Sequence, residues 1–127
     1  MGVAFIATSV YCHGMTNHAA LVPDVLIPRV AQRFKVLGDP TRLLILRLLV
    51  THGELSVGQI VDGVGMSQAN VSKHLRLLLD AGIVGRQAEG TSAFYRVIDP
   101  SVERVCAAVC ERIESQVHEE ARALRRR

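Results

Sequence analysis

From Asp24 to Val36, apolar side chains recur at Val25, Leu26, Val30, Ala31 and Phe34, the period of an amphipathic helix. Pro28 falls within the first turn or so, where a missing N–H is tolerated. Gly38 breaks this helix. Asp39 then stands where a cap is needed, and Pro40 at the first helical position. Leu43, Leu44, Leu46, Leu48 and Leu49 make the second helix apolar nearly all round, which marks it as the central buried one. Gly53 ends it. Ser56 caps a short third helix carrying Val57, Ile60 and Val61, closed by Gly65. Ser67 caps a fourth, with Gly82 as terminator. The stretch "IVGRQAEGTSAFYRVI" reads as a β-hairpin with Glu89, Gly90 and Thr91 near its tip. A last helix opens with Asp99 as cap and Pro100 at its first position. It carries an apolar stripe of Val102, Val105, Val109, Ile113 and Val117. Residues 1–22 show no clear period.

The expected fold is therefore mainly α with a small β-hairpin. Two short helices joined by "GVGMS" and followed at once by a hairpin make a winged helix-turn-helix. The pattern divides the chain into a mobile N-terminal arm over 1–22, a winged domain over 23–123 and a basic tail over 124–127. In that tail Arg125, Arg126 and Arg127 are expected to be frayed and solvated. A second methionine, Met15, would also serve as a start. The first fourteen residues, Cys12 among them, read either as an arm or as an over-extended start.

The chain's 127 residues suffice for one domain and are too few for two good cores. No apolar run approaches the roughly 20 residues of a membrane span. "MGVAFIATSVYCHG" has no Lys or Arg before its apolar stretch, which argues against a secretory signal. Three cysteines make no disulfide framework, so a reducing, cytoplasmic compartment is the expectation. A net charge of +3 permits an acidic partner without demanding one. Its placement is more telling: between Ser67 and Arg96 stand Lys73, Arg76, Arg86 and Arg96 against Asp80 and Glu89. Catalysis finds no support. His13, His18, His52, His74 and His118 form no motif around a cysteine that would activate it, and no glycine-rich phosphate loop is present.

At about 100° per residue, Val71, Leu75 and Leu78 of the fourth helix fall on one side and should face the core. Ala69, Ser72, Lys73 and Arg76 fall on the other, with Gln68 at the N-terminal end. This outward face is short, polar and basic, as a helix lying in a major groove must be. Gln can read adenine, Ser reads either partner, and Lys or Arg reads guanine or grips phosphate. In the hairpin, Arg86 and Arg96 can hold the adjacent DNA backbone.

"VLGDPTRLLILRLL", "MSQANVSKHLRLLLDAGIV" and "AEGTSAFYRV" together resemble the ArsR/SmtB family of winged helix-turn-helix transcriptional repressors, over roughly residues 25–123. The resemblance implies a homodimer joined by the first and last helices. It implies repression through double-stranded DNA at an imperfect inverted repeat. It also implies release by an effector, commonly a metal or metalloid ion, sometimes an oxidant or sulfur species. By the same resemblance Gln68, Ser72 and Lys73 match positions that face the operator. His74 matches a family histidine on the recognition helix, either touching DNA or supporting the core.

Two effector sites common among proteins resembling this one are missing. Where arsenic, cadmium and lead sensors carry "CVC", this chain has "ELSVGQI", with Ser56 and Gly58 in place of the thiols. Where zinc sensors carry Asp-x-His and a later His, this chain has Asp99, Pro100, Ser101 and then Arg112. A sulfur-sensing branch carries a cysteine in the second helix, where this chain offers only leucine, isoleucine and arginine. Cys106 and Cys110 remain, four residues apart in the last helix, beside the apolar stripe. They read either as small buried residues of a dimer seam or as ligands of a thiophilic ion. Helical i,i+4 Cβ atoms lie roughly 6 Å apart, whereas a disulfide needs about 3.5–4.5 Å, so the spacing suits a large soft ion better than oxidation. Trivalent arsenic or antimony takes three sulfurs, and Cys12 or a partner chain could supply the third. Glu114, His118, Glu119 and Glu120 form a weaker oxygen and nitrogen set that reads as a solvated face. No organic cofactor is expected. A thiol-based redox or sulfur-species sensor, or a regulator without an effector, are the alternatives.

Overall fold

The computed structural model describes residues 21–126. Residues 1–20 of the expected arm, Cys12 among them, lie outside the described residues. A 3₁₀ turn, Asp24–Leu26, leads into α1, Ile27–Leu37, with Pro28 in its first turn. Then follow α2, Pro40–His52, the short strand β1, Leu55–Ser56, α3, Val57–Val64, and α4, Gln68–Asp80. The hairpin strands are β2, Val84–Glu89, and β3, Ser92–Val97, and α5 runs from Ser101 to Arg125.

Side chains at the helix starts set these boundaries. The Asp39 carboxylate accepts the N–H groups of Thr41 at 2.9 Å and Arg42 at 3.1 Å, capping α2. Ser56 and Gln59 form a reciprocal capping box on α3. The Ser67 hydroxyl accepts from Asn70 N–H at 3.1 Å, capping α4. Each cap is worth roughly 1 kcal/mol. The turn between α3 and α4 depends on Gly65, whose φ of 70° is left-handed. Gly63 lets α3 approach α2: a Cβ there would sit 2.6 Å from a Leu48 methyl.

One core joins the helices to the inner face of the sheet. Ile45, Ile60, Val71, Leu75, Leu78 and Ile83 are all essentially sealed from solvent. α2 is central as expected, though Leu43 and Val50 remain 42% and 40% exposed. The sheet has three antiparallel strands in the order β1-β3-β2, not two. Leu55 pairs with Tyr95 and Ser56 with Phe94, so the segment that caps α3 also adds an edge strand to the hairpin.

The last helix departs from expectation at both ends. Pro100 occupies the cap position and the first helical residue is Ser101. Asp99 still closes the start: its carboxylate accepts the Ser101 N–H at 2.9 Å and hydroxyl at 2.7 Å. At the other end Leu124 and Arg125, assigned to a frayed tail, continue the helix. Arg122 and Arg125 stand in its last turn, where cations oppose the unpaired carbonyls.

Candidate nucleic-acid interface and effector helix

α4 separates its residues by face. Val71, Leu75 and Leu78 are buried to 1% exposure or less, while Gln68, Ala69, Ser72, Lys73 and Arg76 are exposed. The helix presents its N-terminal turn, Gln68 and Ala69 beside the Ser67 cap, as a ready place for a phosphate or a base edge. Arg76 makes an exposed ion pair with Asp80 one turn on, at 3.2 Å. Such a pair is weak and leaves the guanidinium free to exchange partners.

His74 is not on this face. It is 8% exposed, and its Nδ1 accepts a hydrogen bond from Arg42 Nη1 at 3.0 Å. The Asp39 carboxylate lies 3.9 Å from the same nitrogen. At 100° per residue it falls about 40° beyond Leu78, at the edge of the core-facing arc formed by positions 71, 75 and 78. His74 therefore leaves the set expected to touch DNA and joins the interior of the helix-turn-helix.

The hairpin places its two arginines on opposite faces. Arg86 pairs with Tyr95 and Gly85 with Arg96 across the ladder, and directly opposed residues share a face. Tyr95 and Val84 are buried against the helices, so Arg86 lies on the face toward the helix-turn-helix. Arg96 lies on the outer face with Gly85 and Phe94. Both are exposed, and the register of the ladder, not their shared charge, decides which face of the wing each presents.

Arg42 is a residue the sequence reading passed over. Its Nε donates to the Val36 carbonyl at 2.6 Å and its Nη2 to the Lys35 carbonyl at 3.4 Å. It thus closes the C-terminal end of α1 while standing in the first turn of α2. A cation in a first turn opposes the helix dipole, and that mismatch was the available signal of another role. The Asp39 carboxylate beside it is held below the ordinary carboxylate range, chiefly by the Arg42 backbone N–H, with the Arg42 charge and the Thr41 N–H adding.

α5 is built differently. Val102 is its one buried residue, and Cys106 packs partly against the core. Beyond that, Val109, Ile113 and Val117 are 52–57% exposed. Val25 in the 3₁₀ turn and Phe34 on α1 are 76% and 56% exposed. Arg33 of α1 forms an ion pair with Asp99 at the start of α5. Cys110, one turn beyond Cys106, is exposed. Burial, then the neighbouring Cys110, push the Cys106 thiol up from its ordinary value. Among the described residues, no three His, Cys, Asp or Glu side chains converge as a metal-binding group. Glu114, His118, Glu119 and Glu120 are all exposed, and His118 Nδ1 bonds to the Glu114 carbonyl.

A basic, short-chained helix face beside a β-wing defines a winged helix-turn-helix DNA-binding protein. Residues 39–85 match the model of the bacterial regulatory protein arsR family. An uncharacterized helix-turn-helix-type transcriptional regulator of Methanocaldococcus jannaschii is 42% identical over 65% of this chain and 93% of that protein. Among solved structures, the homodimeric winged helix-turn-helix DNA-binding domain of a possible ArsR-family regulator from Mycobacterium bovis is 32% identical. It covers 79% of this chain and 94% of its own, with a TM-score of 0.66. The AntR antimony-specific transcriptional repressor is 30% identical, covers 88% of this chain and 99% of its own, and has a TM-score of 0.71. The chain belongs to the ArsR family of DNA-binding transcriptional repressors. Among the described residues no helix is long and apolar enough to cross a membrane.

Proposed function

We propose that the protein is a homodimeric repressor that leaves its operator when Cys106 and Cys110 bind a thiophilic ion of the trivalent arsenic or antimony type. The observation that carries this reading is the position of the two thiols. They sit one turn apart where α5 leaves the core, Cys106 against it and Cys110 open. Immediately beyond lies the exposed stripe of Val109, Ile113 and Val117, which a monomer would leave to water. Similarity to an antimony-specific repressor supports the choice of ion class. Two sulfurs from this helix leave room for a third from a partner chain, from Cys12 or from a small thiol.

In this reading Gln68, Ala69, Ser72, Lys73 and Arg76 face the operator, and Arg86 holds phosphate from the wing. An ion that draws the two thiolates together shifts α5 at the seam. The shift alters the spacing of two recognition helices that must stay about one DNA turn apart. It need favour the displaced state by only a few kcal/mol to empty the operator. The redox alternative is weaker at Cys106, because a thiol held protonated by burial is a poor nucleophile. A soft metal displaces that proton directly.

Operator release, followed by fluorescence anisotropy during titration with trivalent antimony or arsenic, tests this. The Cys106→Ser, Cys110→Ser double variant should bind the operator like the parent and ignore the ion. Cys12→Ser should keep at least part of the response. Release of the double variant at the parent's ion concentration would make the thiols packing residues only.

A further inference from the structure

Arg42 joins three helices at one point. It closes the C-terminal carbonyls of α1 through Val36 and Lys35, belongs to α2, and donates Nη1–H to Nδ1 of His74 on α4 at 3.0 Å. A guanidinium has no acceptor. Nδ1 must therefore offer its lone pair, and the ring proton rests on Nε2. The other charge near this nitrogen is the Asp39 carboxylate at 3.9 Å, beyond hydrogen-bond range and already accepting from Thr41 and Arg42 N–H. His74 is 8% exposed. An apolar side chain would fill its place without the desolvation that a buried imidazole must offset. A directional contact at such a place fixes geometry rather than adding stability. It fixes how far α4 is rotated relative to α1. With side chains about 5–6 Å from the helix axis, a rotation of about 20° displaces the outward residues by about 2 Å. That is enough to lose a hydrogen bond to a base edge.

We propose that Arg42 and His74 are positioning residues for operator recognition: neutral His74, in its Nε2–H form, and Arg42 lock the rotation of α4 against the end of α1. The proposal rests on the reading that the outward face of α4 meets the operator. It assigns His74 a role in specificity without contact to DNA.

Two measurements test it. Long-range nitrogen–proton NMR of the full-length native protein near neutral pH should show His74 with Nε2 protonated and Nδ1 bare. A proton on Nδ1 would overturn the proposal. The second measurement compares affinity for operator and for random duplex in His74→Asn, His74→Leu, Arg42→Met and the Arg42→Met, His74→Leu double variant. The Asn amide oxygen can stand in for Nδ1, so His74→Asn should stay within about threefold of the parent on operator. His74→Leu should lose about tenfold or more on operator, keep its affinity for random duplex, and melt no lower than the parent. Arg42→Met should lose a similar factor, and the double variant no more than either single one. His74→Leu binding operator as tightly as the parent, or His74→Asn failing as badly as His74→Leu, would refute the positioning role. Ser72→Ala serves as the separate control. If it leaves operator discrimination intact, the outward-face reading itself fails. If it lowers discrimination while His74→Leu does not, only the positioning role fails.

Discussion

α4 and α5 are both amphipathic helices, and the chain completes only one of them. α4 spans 13 residues and hides Val71, Leu75 and Leu78 almost wholly within its own domain. α5 spans 25 residues, about 37 Å of helix, and contributes Val102 alone to the buried core. The same periodic pattern therefore has two meanings. On α4 it records packing within one chain, and the face left over is polar and basic. On α5 the apolar face itself is left over, which is what a surface awaiting a second copy looks like.

Breaking each helix at its apolar face should separate these meanings. Leu75→Ala should lower folding stability by about 2–5 kcal/mol, since it empties a site exposed by only 1%. Urea unfolding followed by circular dichroism measures it, and a loss below about 1 kcal/mol would contradict a tightly packed α4. Ile113→Glu should leave the helix-turn-helix core folded and weaken self-association about a hundredfold, roughly 3 kcal/mol, because a two-fold interface brings each new charge close to its own copy. Sedimentation at micromolar concentration reads this directly, and an unchanged sedimentation profile would remove α5 from the seam.

The wing offers a finer contrast. Arg86→Ala should lower affinity for operator and random duplex alike and reduce the slope of log affinity against log salt by about 1. Arg96→Ala, on the outer face of the ladder, should change that slope less. Equal slopes for the two variants would mean that the ribbon twists enough to bring both arginines to DNA.

The smallest effect concerns acid. The carboxyl of Asp39 is depressed in the folded state, so its contribution is present above the unfolded pKa and lost as pH falls through the folded one. Asp39→Asn keeps a capping side chain and should cost little at neutral pH. It should also narrow the stability difference between pH 7 and pH 3. Asp99, depressed chiefly by the Ser101 N–H and also by Arg33, keeps the remainder. Denaturant midpoints at the two pH values give the comparison.

What was legible in the sequence was local. Asp39, Ser56 and Ser67 announce their caps within three residues, and Gly90 marks the hairpin tip. The inward face of α4 follows from its period alone. What was hidden depends on partners far along the chain. β1 is two residues long and exists because Leu55 meets Tyr95. The Arg42 and His74 contact spans 32 positions, and Arg33 with Asp99 spans 66. No local pattern carries such pairs, so His74 on a basic helix stayed open between touching DNA and supporting the core. The wing arginines were paired because both are basic and near a turn. The strand register, which sets their faces, is fixed only by the ladder.

The exposed apolar stripe of α5 carries the two cysteines at its upstream end. If the dimer forms there, ligand binding and subunit exchange share one equilibrium. Occupancy of an inverted-repeat operator would then fall with the square of chain concentration once the protein is diluted below its dimer dissociation constant. An ion that loosens the seam would act more strongly on a scarce repressor than on an abundant one. The amount of protein in the cell would thus set the threshold at which the signal is heard.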